Sequence, residues 1–172
     1  RVTATLSPRS LWNLGFEQLA IDGPELDVRR AADGRIFVAG IEIPQQQDGD
    51  GRAADWMFSQ TEWIIRGGRV QWRDELRGAP LLQLQEVDLR MHNGARRHDL
   101  RLDATPPAEL GGRFSLRGRF RQPLLFTRAG EWQRWQGQFY AVFERVDIDQ
   151  LRRHVPLQLE VAGGSGALRT WI

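Results

Sequence analysis

From Ile65 to Glu75 the chain runs Ile-Arg-Gly-Gly-Arg-Val-Gln-Trp-Arg-Asp-Glu, and this short stretch constrains the fold more than any other. Side chains alternate along an extended chain, so Val70 and Trp72 share one face while Arg69, Gln71 and Arg73 share the other. Gly67 and Gly68 interrupt the alternation and read as a break between two strands. The same grammar occurs earlier, where strands at Leu26–Arg30 and Arg35–Ile43 flank an Asp33-Gly34 hairpin signal. A chain written this way builds sheets with one apolar face and one charged face.

The rest of the sequence extends that pattern. Ser7 to Leu14 reads as a short connector, Phe16 to Ile21 as a strand, and Pro44 to Arg52 as a polar loop. Ala53 to Thr61 suits a short amphipathic helix lying over an opening in the sheet. Within Pro80 to His92, Leu82 and Leu84 share one parity, and Val87, Leu89 and Met91 share the other. Such a phase change predicts a bulge or bend near Gln85-Glu86. Asn93-Gly94 reads as a type I′ turn, with Leu100, Leu102 and Ala104 on one face of the return strand. Phe114, Leu116 and Phe120 alternate with arginines over Arg113 to Arg121, and Trp132 to Phe143 forms a further strand. Asp147 with Gln150 resembles a capping box opening a second helix over 147–154, and Gly163 to Gly166 hinges into a last strand.

The expected fold is therefore mainly β, a strongly twisted antiparallel sheet with two short helices. It is read as a single β-rich segment over 1–172, divisible into two loosely similar units at about 1–62 and 63–172. The chain opens on Arg1 without a Met and stops within an alternating stretch, which reads as an internal piece of something longer. Its longest apolar run, Phe139 to Val142 and Phe143, falls far short of the roughly 20 residues that span a bilayer.

Composition excludes several chemistries. All 24 basic residues are arginine, so there is no Walker lysine, Schiff-base lysine or lysine general base. The isoelectric point of 10.2 reflects that absence, because with a net charge of +2 almost nothing titrates between neutrality and the arginine range. Zero cysteines exclude disulfides, thiolate metal sites and a thiol nucleophile.

No catalytic constellation emerges either. His92 and His98 flank the Asn93-Gly94 turn and could face each other, but two histidines fall short of the three or four ligands a metal needs. His154 sits near a helix C-terminus, where a cationic side chain is favourable. Ser165, within Gly163-Gly164-Ser165-Gly166, lacks the strand-to-helix setting of a nucleophile elbow. The carboxylate pairs Asp74-Glu75 and Asp147 with Asp149 lie in hydrophilic contexts, where no apolar pocket raises a pKa, and Asp74 is read as an arginine partner. Single-stranded nucleic acid is disfavoured, since Phe114 to Phe120 segregates aromatics and arginines onto opposite faces. An enzyme is not expected, and neither catalytic residues, a metal nor a cofactor is assigned.

What remains is a large apolar face with too little helix to cover it. Either the sheet closes on itself as a barrel or sandwich, or the face stays open to a ligand.

A set of motifs in order along the chain resembles the AsmA-like family, specifically its YhdP branch. They run from Gly23-Pro24-Glu25-Leu26-Asp27-Val28-Arg29-Arg30, through Asp55-Trp56-Met57-Phe58-Ser59-Gln60 and Arg66 to Asp74, to Val146-Asp147-Ile148-Asp149-Gln150-Leu151. The resemblance implies an extended, half-open β-groove from a periplasmic, inner-membrane-anchored bridge. Such a bridge carries phospholipid acyl chains between inner and outer membranes in outer-membrane biogenesis of Gram-negative bacteria. Its implied partners are phospholipid and neighbouring repeats of the full-length protein, with anchoring left to segments outside this chain. Leu82, Leu84, Leu100, Leu102, Phe114 and Leu116 are the groove candidates. The competing expectation is a ligand-free structural module whose sheet edges pair with neighbouring repeats or a partner.

Overall fold

A computed structural model describes residues 1–5, 17–43, 52–124, 134–154 and 164–171. The connector expected at 7–14 and nearly all of the polar loop expected at 44–52 lie outside the described residues.

Among the described residues eleven strands form one open sheet, with two short helices. The small N-terminal strands are β1 (Val2–Thr5), β2 (Gln18–Asp22), β3 (Glu25–Arg30), β4 (Ile36–Val38) and β5 (Ile41–Ile43). Helix α1 (Arg52–Ser59) follows, and then the long strands β6 (Glu62–Asp74), β7 (Leu82–Asn93), β8 (Arg97–Thr105), β9 (Phe114–Arg121) and β10 (Gln136–Asp147). Helix α2 (Ile148–His154) leads toward β11 (Ser165–Trp171).

From β6 to β11 each strand pairs antiparallel with the next, as short connections between alternating segments dictate. The other side of β6 departs from a purely antiparallel plan. There β2 and β3 lie end to end, both parallel to β6, with Ala20 opposite Ile64 and Val28 opposite Trp72. The crossover through α1 supplies the length that a parallel pairing needs. The sheet is therefore mixed, and mostly antiparallel.

Gly67-Gly68 is not a break between strands. Residues 62–74 form one strand, and the two glycines are a bulge within it, with Gly67 at φ +57° and the register against β7 slipping around Gly68. Packing explains the second glycine, since a Cβ there would lie 3.0 Å from the Ile65 side chain and 3.3 Å from Pro24. The phase change at Gln85-Glu86 is a bulge as expected, with Glu86 at φ +48° and the β7–β8 register shifting between Gln85 and Asp88. That bulge returns Val87, Leu89 and Met91 to the face of Leu82 and Leu84.

These irregularities line up. Gly23-Pro24 separates β2 from β3 beside Gly67-Gly68, and Gly68 pairs with Val87, next to Glu86. Side chains on the charged face clasp the line. Asp88 accepts from the Gly67 N–H at 2.9 Å, and Arg113 donates to Asp88 at 2.8 Å and to the Glu86 carbonyl at 3.0 Å. A line of irregularity thus crosses β6, β7 and the gap between β2 and β3, and bulges bend and twist the strands that carry them.

Two turns differ from expectation. The Arg35–Ile43 strand is split by a tight turn at Ala39 (φ +50°) and Gly40 (φ +79°), which folds β5 back on β4. Asn93-Gly94 is not a type I′ turn, since neither residue is at positive φ. Instead Asn93 pairs with His98, and the Gly94 N–H donates to the Arg97 carbonyl at 2.7 Å. The side chain of Asn93 is needed elsewhere, as described below. The capping residue of α2 is as expected, with Asp147 Oδ1 accepting from the Gln150 N–H at 2.9 Å.

Candidate functional site

Register places one apolar surface across the interior of the sheet. Trp63, Ile65, Val70 and Trp72 on β6 lie opposite Met91, Leu89, Leu84 and Leu82 on β7. Leu89 pairs with Leu102, Leu102 with Leu116, and Leu116 with Ala141, so one row crosses four strands. All six groove candidates lie on this face. Leu84, Leu102, Phe114 and Leu116 join one cluster around Val87 and Ala104, while Leu82 packs in a second cluster with Leu110, Val146, Ile148 and Leu151. Leu100, opposite Met91 and Gly118, belongs to neither cluster.

The face is only partly covered. Val87, Ala104 and Phe114 are buried, yet Leu82, Leu84, Leu89, Met91, Leu100, Leu102 and Leu116 each keep part of their surface in water. The two helices contribute at opposite ends and leave the centre to the sheet. At one end Phe58 of α1 meets the rings of His98 and Trp135 edge-on, at 6.3 and 4.8 Å between centroids. At the other end Ile148 and Leu151 of α2 close over Leu110 and Val146.

Polar groups sit in both corners, at the ends of the apolar runs of their strands. His98 is 3% exposed and stacks on Trp135 at 3.6 Å. Its Nδ1 lies 2.8 Å from Asn93 Oδ1, while Asn93 Nδ2 donates to the Gln60 carbonyl at 2.9 Å. The amide oxygen must therefore accept, which assigns the proton to His98 Nδ1 and leaves Nε2 bare and without a partner. Burial pushes the His98 pKa down, against a smaller opposing pull from Asp99. His92 lies on the opposite, charged face, so the two histidines do not face each other.

The far corner holds Asp74, which is 1% exposed and not in the hydrophilic context expected of it. Arg30 Nε donates to Asp74 Oδ1 at 2.9 Å, its Nη2 donates to Oδ2, and the Arg77 N–H donates to Oδ1 at 3.2 Å. Burial alone raises the Asp74 pKa, but these donors outweigh it and hold the carboxyl below its usual range. His154 is not a favourable cation at its helix end, because burial and the neighbouring Arg153 lower its pKa against the pull of Asp74.

The reverse face carries most of the charged side chains. Arg66 pairs with Asp22, Arg69 with Glu25, Arg90 with Glu62, and Arg101 with Asp103. The first two pairs are exposed on both sides and add little stability, whereas the Glu62 and Asp103 side chains are mostly buried, at 12% and 14% exposed. Among the described residues the arrangement is a broad apolar surface bounded by two helical corners. Among the described residues no group of three or more His, Asp or Glu side chains is placed to hold a metal.

Comparison with known proteins agrees with the motif order. Curated proteins give no match, and solved structures give none. The family described as YhdP protein matches over residues 1–172, the whole of the sequence. The chain belongs to the YhdP family.

Proposed function

We propose that this chain is a non-enzymatic, lipid-handling segment whose apolar sheet face receives phospholipid acyl chains, as part of a periplasmic path between inner and outer membranes. The observation that carries the reading is the row of partly exposed leucines across β7, β8 and β9, lying between the ends of the sheet that the two described helices pack on. Each methylene that an acyl chain buries there contributes about 0.8 kcal/mol, with no directional contact required. Family membership supports the lipid theme and a membrane-associated setting in the periplasm. No helix among the described residues is long and apolar enough to cross a membrane, so the proposed anchor is assigned to other segments.

A second reading has its own observation. Among the described residues the sheet does not close, so β11 on one side and β1 and β5 on the other present edges that a neighbouring repeat could extend. The two readings are compatible in geometry but differ in whether the apolar face has a ligand.

Leu102→Asp separates them. An acid on an open face keeps its water when no lipid is present, whereas an acid in a sealed core is desolvated at a cost of several kcal/mol. The expected result is a folded protein with a modestly lower melting temperature and reduced labelling by photo-crosslinkable phospholipid. Complete unfolding, or labelling equal to the unsubstituted protein, overturns the acyl-chain reading and leaves the structural module.

A further inference from the structure

The face opposite the leucine row carries a feature that a solvated outer surface does not need. A depression of about 1100 Å³ lies on the charged side of β7, β8, β9 and β10, at the end nearest α1. Arg90, Arg97, Arg101, Arg117, Arg119 and Arg121 line it. Among the described residues three carboxylates answer these six guanidiniums: Glu62 pairs with Arg90 at 2.7 Å, Asp103 with Arg101 at 2.8 Å, and Asp99 with Arg119 at 3.7 Å. Among the described residues no acid pairs with Arg97, Arg117 or Arg121.

Register makes the crowding specific. Arg90 is directly opposite Arg101, Arg101 is directly opposite Arg117, and Arg97 is directly opposite Arg121. Like charges placed directly across a sheet are destabilising, so the isolated fold does not gain from three such contacts. Neighbouring strands are about 4.8 Å apart and alternate residues along a strand about 6.6 Å apart, which sets the Cβ atoms of these arginines on a grid of that spacing and leaves their guanidiniums within reach of one ligand. A planar fork of donors suits the oxygens of phosphate, and the guanidiniums without an acid, Arg97, Arg117 and Arg121, leave a compact excess of positive charge that one small ligand with several phosphates can span.

We propose that this depression binds a small oligoanion carrying two or more phosphate groups, held by Arg97, Arg101, Arg117 and Arg121. The site lies through the sheet from the leucine row, so its ligand is a different molecule from any acyl chain on that row. The inference stands or falls independently of the lipid reading.

Calorimetric titration of the protein with inorganic triphosphate at low salt tests it. Saturable one-to-one binding is expected, with Arg117→Gln and Arg121→Gln each weakening it about tenfold, the loss of one charge-assisted contact. Arg69→Gln, on the same face beside Glu25 and remote from the depression, is expected to leave affinity within about twofold, because exposed pairs contribute little. Without ligand, Arg117→Gln is expected to melt at the same temperature or about 1–3 °C higher, since a repulsion is removed. Absence of saturable binding, or equal loss in Arg69→Gln, overturns the site in favour of diffuse cationic attraction. A lower melting temperature in Arg117→Gln assigns the arginine row to the fold instead. Vesicles of phosphatidylglycerol, a flat array of single phosphates, are expected not to compete; competition by them at equal phosphate overturns the small-ligand assignment.

Discussion

His98 Nδ1 meets Asn93 Oδ1 at 2.8 Å inside a corner closed by Phe58 and Trp135, and the other ring nitrogen has no partner. The corner holds the imidazole in its neutral form. A proton added to Nε2 would be a buried charge with no acceptor.

Stability is therefore expected to fall as pH drops below the ordinary histidine value of 6.5. The unfolded ring takes up its proton near that pH, while the folded ring resists until lower pH, so the unfolded chain holds more protons between the two. His154, also lowered, acts in the same direction. A second loss is expected below the usual carboxylate values of 3.8 to 4.5, where Glu62, Asp74 and Asp103, all lowered in the fold, become protonated. Urea midpoints measured from about pH 7.5 down to about pH 2 should show both stages. The double substitution His98→Phe and His154→Phe should remove the first and keep the second; an unchanged first stage refutes this assignment.

Asp74→Ala should destabilise the fold strongly. It removes the acceptor for both Arg30 donors and for the Arg77 N–H in a corner where Asp74 itself is 1% exposed. Deleting one member of a buried ion pair typically costs 3–5 kcal/mol, and because the Arg30 side chain keeps 22% of its surface in water, a loss of about 2–3 kcal/mol is expected. Chemical denaturation at neutral pH measures it. A change under about 1 kcal/mol would show that solvent replaces the pair without penalty.

Ala39→Gly should stabilise. Ala39 holds φ +50° in the turn between β4 and β5, a conformation that costs a residue with a Cβ about 1–2 kcal/mol. Glycine relieves that cost but adds freedom to the unfolded chain, so a net gain of about 0.5 kcal/mol is expected. Ala39→Asn should behave similarly, because asparagine tolerates this region. Equal or lower stability in both variants would mean that the turn is not under strain.

Alternation, read without any structure, identifies which residues share a face. Leu82, Leu84, Leu100, Leu102, Phe114 and Leu116 do lie together, and the parity slip at Gln85-Glu86 does mark a bulge, because side-chain direction is a local property of an extended backbone. Asp147 as a helix cap is local in the same sense. Asn93-Gly94 misled because its composition suits a turn that the pairing of Asn93 with His98 forbids. A signal for the corner existed, since Asn93 and His98 are polar residues at the ends of otherwise apolar runs. Only the register shows that they meet.

Sequence by itself determined a β-rich chain with one apolar and one arginine-bearing face, since both follow from local periodicity. Tertiary structure alone decided that β2 and β3 run parallel to β6, that Asp74 and His98 are buried, and that Arg90, Arg101 and Arg117 fall in one row. These depend on which distant strands pair and in what register. A slip of one residue turns every side chain of a strand to the other face, so that choice rests on the assembled sheet.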